Sequence, residues 1–283
     1  MGKSPLPSSP THIITAQPDG FIRYLYRIWN HRHLVLALAH RDRQIRFAQT
    51  LFGTLWVVLQ PLLLLSVYTL FFAYWMRIDT AKTPYILFSL CGIVCWNYFS
   101  QAFSEGGASL LHSHDLVRKI YFPKLILPLS KLWGKLPDLL ISQLLLLGTA
   151  LVIDWTQGSS FVVSAKYWLL PVAMGVHVLV SLTAALWICL LSLRYRDIQH
   201  ILPYLLHLAV WFTPVFYPPS FIPEQWQLLL QINPMAAVLA LYRHTLLGTE
   251  PLCAMQWGVL GVVVLLLVLA IHYFRRTEKM WDV

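Results

Sequence analysis

Uncharged stretches of about twenty or more residues divide this chain. A helix that crosses a bilayer needs about 20 mostly apolar residues. Five stretches contain no Asp, Glu, Lys or Arg, and a sixth contains only Asp138 near its start. In chain order the six predicted spans are 47–76, 83–104, 136–153, 167–193, 198–223 and 251–274. This pattern predicts an all-α polytopic membrane protein with six transmembrane helices.

Composition supports a membrane rather than a soluble protein. Of the 283 residues, 58% are hydrophobic and only 12% are charged, whereas soluble domains carry about 25% charged residues. The chain therefore lacks the polar surface that would cover a soluble globule of its length.

Basic residues are distributed unevenly between the two sides of the predicted topology. All but four of the 21 lysines and arginines precede the first span, follow the last one, or lie in the loops after spans two and four. The four on the other side are Arg77, Lys82, Lys166 and Arg243. The positive-inside rule places the basic side, with both termini, in the cytoplasm. We therefore attribute the net charge of +9 to the basic cytoplasmic loops and termini of a membrane protein. We do not expect a nucleic-acid partner.

The region before the first span has two parts. Residues 1–19 are rich in Pro and Ser, as in a disordered tail. In residues 20–48, apolar side chains recur at helical spacing among arginines, which predicts an amphipathic helix at the membrane interface, with Arg41, Arg43 and Arg46 near lipid phosphates. The predicted organisation is a tail (1–19), an interface helix (20–48), a six-span domain (49–275) and a C-terminal tail (276–283).

Prolines interrupt several apolar stretches. Pro61 lies within span one, and Pro203 and Pro214 lie within span five, where they are expected to kink the helices. Residues 224–247, between spans five and six, are predicted to form two short helices separated at Asn233-Pro234. Two alternatives remain open for this segment: re-entrant helices that dip into the outer leaflet, or an amphipathic hairpin on the surface.

The loop after span two is predicted to begin at Gly106-Gly107 and to contain a short helix at about 108–117. A short helix with exposed charges can dock in a groove of a partner domain. A plain interfacial loop is the alternative.

No constellation for bond chemistry is recognisable. Gly2-Lys3-Ser4 lacks the upstream glycine of a phosphate-binding loop. His112, His114 and Asp115 form the densest polar group, but their spacing is not diagnostic of a metal site. We therefore expect no catalytic residue, no metal and no cofactor on this chain.

Asp138 has two interpretations. An acid within a span is a functional candidate by default, whereas Lys131 and Lys135 on the preceding turns favour an ion pair at the membrane edge.

Four aromatic residues lie deep in the predicted spans: Trp56, Tyr68, Trp96 and Tyr98. Such rings can stack on sugar rings, or they can simply pack between helices and against lipid.

Five segments, in order, resemble the ABC-2 type permeases that export polysaccharides such as O-antigen, capsule and teichoic acid. They are RDRQIRFAQTLFGTLWVVLQPLLLLSVYTLFF (41–72), LVRKIYFPKLILPLS (116–130), RYRDIQHILPYLL with TPVFYP (194–218), INPMAAVLALYRHTLLG (232–248) and FRRTEKMWDV (274–283). The resemblance extends from about Gly20 to the end of the chain.

This resemblance implies a homodimer in the bacterial inner membrane, bound to two copies of a separate ABC ATPase. The helix at 108–117 would be the coupling helix that contacts the ATPase, through Ser113, His114, Asp115, Leu116 and Arg118. A lipid-linked polysaccharide would pass the four aromatic rings. The expected substrate is an O-antigen or a related surface polysaccharide, with capsule or teichoic acid as alternatives.

Two other classes compete with this interpretation. A membrane-embedded transferase would need a polar catalytic cluster, for which His112, His114 and Asp115 are the available residues. A secondary transporter would have repeated halves with paired broken helices, and the sequence has no such repeat.

Overall fold

A computed structural model describes residues 20–78, 80, 83–113, 116, 122–157 and 166–277 of the chain. Within these ranges it contains ten α-helices and no strand. The helices are α1 (Phe21–Asn30), α2 (Arg32–Phe47), α3 (Trp56–Tyr68), α4 (Tyr85–His112), α5 (Ile126–Gln157), α6 (Leu170–Arg194), α7 (Ile198–Ala209), α8 (Glu224–Ile232), α9 (Pro234–Leu247) and α10 (Ala254–Thr277).

Among the described residues, five helical segments are long and apolar enough to cross a membrane. They are Gly53–Trp75, Tyr85–His112, Ile126–Thr156, Tyr167–Arg194 and Ala254–Thr277. These segments confirm the all-α polytopic class. The predicted fifth span, 198–223, is not one helix, because it consists of α7 followed by turns. The count of six spans therefore stays a prediction.

The segment that follows α7 is not helical and is rich in proline. Pro203 is accommodated inside α7, which ends at Ala209, and Pro214 lacks the backbone N–H that would donate to Val210 in a continued helix. Three side chains from outside this segment donate hydrogen bonds to its carbonyl oxygens: Arg243 to Val215 (3.0 Å), Tyr85 to Phe216 (3.0 Å) and Asn233 to Phe212 (3.1 Å). Non-helical backbone is tolerated at membrane depth where the protein satisfies it in this way.

Helix α4 is the central helix of the bundle, and α5, α6 and α3 pack around it. Two glycines allow a close approach to α6: a Cβ atom on Gly106 would lie 2.8 Å from the Cβ of Ala185, and one on Gly107 would lie 2.5 Å from the Cγ2 of Ile188. The prediction that a loop begins at Gly106-Gly107 is wrong. These glycines pack a helix that continues to His112.

Helix α5 begins ten residues before the predicted span 136–153. Pro128 does not prevent this, because a proline in the first turn of a helix removes an N–H that has no helical partner there. Asp138 consequently lies about three turns inside a continuous helix and not near its start.

The predicted interface helix at 20–48 is two helices, α1 and α2, which meet at His31. The His31 imidazole Nδ1 lies 2.7 Å from the Arg27 carbonyl oxygen, a local side-chain contact of the kind that competes with regular helix. Helix α2 packs on α5, where Gly134 faces the backbone of Ala39.

Helices α8 and α9 lie where two short helices are predicted. Asn233 caps α9 by accepting a hydrogen bond from the Met235 N–H (2.9 Å), and Gly248 ends it in a left-handed conformation (φ 66°). Most side chains of α9 are buried against α4, α6 and α10, whereas α8 buries only Leu230. Helix α9 therefore belongs to the packed core and is not an arm of a surface hairpin.

Candidate functional site

Two neighbouring cavities lie beside α4. The first, here called the charged cavity, has a volume of ≈370 Å³ and lies between the end of α2, α3, α4 and α5. The second, the aromatic groove, has a volume of ≈480 Å³ and lies between α3, α4, α7 and the segment after α7. The two together form a polar and aromatic surface along one side of the bundle.

Four polar side chains line both cavities: Gln60, Asn97, Gln101 and Glu105. The last three recur every four residues and therefore share one face of α4. An amide group offers two donors and one acceptor oxygen, which suits ligands that carry many hydroxyl groups. We call these four residues the polar seam.

The four aromatic residues singled out from the sequence fall into two pairs. Tyr68 and Trp96 line the aromatic groove, whereas Trp56 and Tyr98 line the charged cavity. The structure adds Phe216, whose ring stacks on Tyr68 with 3.6 Å between ring centroids and 21° between planes. This stack forms part of the wall of the groove.

Ion pairs concentrate at the α2 side of the charged cavity. Arg46 forms a hydrogen-bonded ion pair with Asp138. Lys135 Nζ lies 2.5 Å from a Glu105 carboxylate oxygen and donates to the Gln101 side chain at 3.1 Å. Each of these pairs joins two different helices.

The predicted ion pair of Asp138 exists, but with other partners. Arg46 and Arg43 of α2 reach its carboxylate, the latter at 3.9 Å. The predicted partners on the same helix pair elsewhere: Lys135 with Glu105 and Lys131 with Asp42.

A second group of charges holds α2 against α5. The Lys131 ammonium lies 2.7 Å from the Asp42 carboxylate, and Arg41 lies 2.8 Å from its other oxygen. Partial burial would raise the pKa of Asp42, but the hydrogen bonds and positive charges of Lys131 and Arg41 outweigh it and lower that pKa below its usual value.

The predicted interface arginines do not all face outward. The Arg41 side chain is half exposed, whereas Arg43 and Arg46 turn towards α5 and expose only 28% of their side chains. Two of the three therefore belong to the ion-pair cluster, and their contact with lipid phosphates stays a prediction.

The residues predicted to contact an ATPase are only partly described. Ser113 follows α4, and its carbonyl oxygen accepts a hydrogen bond from the Leu116 N–H (3.1 Å). His114, Asp115 and Arg118 lie outside the described residues. The first half of the predicted helix 108–117 is the last turn of α4, in which Ala108 and Leu110 are buried. Coupling by these residues stays a prediction.

The two cavities are lined by amide, aromatic and charged side chains. Within the described ranges no three His, Cys, Asp or Glu side chains are grouped as metal ligands. The cavities offer amides, aromatic faces and paired charges, which suit a polyhydroxylated polymer with an anionic group. Many weak contacts of this kind hold a moving ligand better than one tight pocket does.

The five long apolar helical segments of the described residues are those of a multi-pass membrane protein. Residues 33–247 match the family model of the ABC-2 type transporters. The chain therefore belongs to the ABC-2 type transporter family.

Named relatives agree with this membership. The chain is 30% identical, over 264 residues, to the O-antigen export system permease protein RfbA of Myxococcus xanthus, covering 91% of this chain and 98% of the relative. It is 23% identical to a Klebsiella pneumoniae protein of the same name over 211 residues, covering 75% and 79% of the two chains.

The sequence pattern did not single out the polar seam or Phe216. A usable signal existed for Gln60, Asn97 and Gln101, because polar residues inside an apolar span are functional candidates by default. Phe216 carried no such signal, since its position depends on how the chain turns after α7.

Proposed function

We propose that this chain is the permease subunit of an ATP-driven exporter that moves a lipid-linked polysaccharide, an O-antigen or a related surface glycan, out of the bacterial cytoplasm. Family membership supports the transporter role. The names of the relatives, one matched over 98% of its length, support this substrate class.

The observation that carries the proposal is the aromatic groove with its polar seam. Tyr68, Trp96 and Phe216 present ring surface, and the seam presents amides beside it. Sugar rings have apolar faces and hydroxyl edges, so one wall of rings and one wall of amides matches a glycan without requiring one particular sugar.

The charge distribution supports the proposed orientation, and the open groove supports the proposed assembly. We place the end bearing α1 and α2 in the cytoplasm, because nearly all basic residues lie on that side. The groove is open beside α3 and α7, where many apolar side chains are exposed. A second copy facing this side would enclose two grooves in one channel.

ATP hydrolysis is assigned to a separate ABC ATPase, two copies of which would bind the cytoplasmic side near residues 108–117. Its movement would tilt α4, which carries most of the polar seam. Because α4 packs on α3, α5 and α6, a small tilt would change the width of both cavities. Bond chemistry plays no part in the role of this chain.

The test is surface export in the source bacterium after deletion of the gene. We expect surface polysaccharide to disappear and lipid-linked polysaccharide to accumulate inside the cell. Complementation should restore export with the wild-type chain, and an ATPase should co-purify with it. Loss of a capsule or of teichoic acid instead would reassign the substrate, and sugar transfer by the isolated chain would replace the proposal with a transferase.

A further inference from the structure

We propose that the charged cavity is a receptor for a phosphate group, bound by Arg46 and Lys135 after they release Asp138 and Glu105. The expected ligand is the phosphate that links lipid to sugar, and this assignment rests on the proposed function. The receptor consists of Arg46, Lys135, Asp138 and Glu105, which all line the charged cavity.

The charged cavity is lined by two cations and two acids, and a third cation lies beside it. Arg46 pairs with Asp138 and Lys135 pairs with Glu105, while Arg43 adds a third cation 3.9 Å from the Asp138 carboxylate. An anion that entered would meet a positive site once the two acids moved aside. A phosphate is favoured over a carboxylate because it offers more acceptor oxygens to the fork of an arginine.

The two cations lie between two cavities, with 28% of the Arg46 side chain and 6% of the Lys135 side chain exposed. Arg46 and Lys135 line the charged cavity, and they also line a smaller cavity of ≈190 Å³ towards α2 and the start of α5. The smaller cavity is also lined by the cations Arg43 and Lys131 and by the acids Asp42 and Glu105. A ligand therefore reaches the same two cations from the α2 side or from the polar seam.

The existing pairs leave hydrogen-bonding capacity unused. The buried Asp138 Oδ1 and Arg46 Nε make no hydrogen bond in the described part of the chain. A buried polar atom without a partner costs about 1–3 kcal/mol. The Arg46–Asp138 pair therefore makes fewer hydrogen bonds than a purely structural ion pair would. The Arg46 Nε–H remains available to donate to an oxygen of an incoming phosphate.

The position of the cavity also fits a lipid–sugar junction. The charged cavity adjoins the aromatic groove through the polar seam, so a phosphate on Arg46 would place the first sugars beside Gln60 and Asn97. Trp56 lines the cavity and exposes 42% of its surface, which provides an apolar contact for the first carbons of a lipid.

The test measures binding to the purified full-length chain in detergent, without ATPase or export. The probe is farnesyl diphosphate, with farnesol as the neutral control, and the readout is microscale thermophoresis. Arg46→Gln and Lys135→Gln should each weaken farnesyl diphosphate binding at least about tenfold. Arg196→Gln, an exposed arginine on the same predicted side, is the matched control and should change nothing.

Asp138→Asn separates a binding role from a structural one. If Asp138 competes with the phosphate, its neutralisation should tighten binding by roughly tenfold. Weaker binding in Asp138→Asn, or equal binding by wild type and Arg46→Gln, would overturn the proposal. If Arg46→Gln does not fold, Arg46→Lys replaces it as the variant, because lysine keeps the positive charge. Arg46→Lys should retain at least part of the affinity for farnesyl diphosphate.

Two further probes distinguish the sources of phosphate. Competition by inorganic pyrophosphate would show that the phosphate group is sufficient for binding. Arg46-dependent binding to phosphatidylglycerol vesicles, with none to farnesyl diphosphate, would support the receptor but assign it to lipid headgroups. That result would leave the export proposal intact, since export is tested separately in cells.

Discussion

Replacement of Arg243 should destabilise the fold, because this side chain holds the segment in which the chain turns after α7. This guanidinium is buried, lies 3.5 Å from the centroid of the Phe88 ring, and donates to the carbonyl oxygens of Val215 (3.0 Å) and Phe88 (3.4 Å). Arg243→Leu removes these contacts and leaves the Val215 oxygen without its donor from α9.

The magnitude follows from these contacts. Each of the two hydrogen bonds from this charged group contributes about 1.5–3 kcal/mol and the desolvated cation–π contact about 2 kcal/mol, so that about 5–8 kcal/mol of contacts is lost. Burial of the charge costs several kcal/mol and is relieved by the substitution. The expected net loss is therefore about 2–4 kcal/mol, or roughly 5–15 °C in Tm for a chain of this size.

The assay is thermal unfolding of the purified chain in detergent. Arg77→Gln, an exposed arginine on the same side of the predicted topology, is the control and should leave the Tm within about 1 °C. Because Val215 precedes Phe216, Arg243→Leu should also lower the yield of a disulfide between cysteines introduced at Tyr68 and Phe216. An Arg243→Leu chain as stable as the control would refute the proposed anchoring of this segment.

Three other perturbations address separate parts of the structure. Gly106→Leu should force α4 away from α6, because even a Cβ atom would lie 2.8 Å from the Cβ of Ala185. We expect lost expression or a Tm lowered by several degrees. An unchanged Tm would contradict the close packing of α4 and α6. Asp42→Asn should lower the Tm at pH 7, and should lower it less below pH 4. The pKa of this carboxyl is lowered in the folded chain, so its ion pairs stabilise the fold above the usual pKa of 3.8 and lose strength as the pH falls through the pKa of the folded state. A Tm difference that does not change with pH would rule out this charge effect. Tyr68→Ala should slow export in cells at normal expression, whereas Trp168→Ala, an exposed tryptophan outside the groove, should not; equal rates would remove Tyr68 from the path.

The apolar spans were predictable from the sequence because the bilayer imposes a simple rule. A helix that crosses hydrocarbon must satisfy its own backbone and present apolar side chains over about 20 residues. The helices that follow this rule, such as α6 and α10, lie close to their predicted ranges. The break at Asn233-Pro234 was predictable for a local reason, since Asn caps α9 and Pro begins it.

Helix ends were predicted less well where tertiary packing decides them. Gly106-Gly107 has the composition of a turn, yet α6 packs against these glycines and α4 continues past them. Pro128 occupies the first turn of α5, which begins ten residues before the predicted span. Local residue preferences are weak when packing against a neighbouring helix opposes them.

The cavities could be predicted only in part. Tyr68 and Trp96 were identifiable as deep aromatics, but nothing in the sequence showed that they share a groove with Phe216, more than a hundred residues later in the chain. The ion pairs of Asp138 were assigned to its own helix because helical spacing is visible in a sequence. Contact with Arg46 depends instead on how α2 folds back on α5, which one sequence does not reveal.

The most direct test of the account is ATP-dependent movement of a lipid-linked polysaccharide in inverted membrane vesicles that contain this chain and its ATPase. We predict that radiolabelled polysaccharide becomes inaccessible to an added glycosidase when ATP is supplied, and stays accessible with a non-hydrolysable ATP analogue or in vesicles without this chain. Protection that is equal with and without this chain, or that requires no ATP, would contradict its assignment as the permease of an ATP-driven exporter.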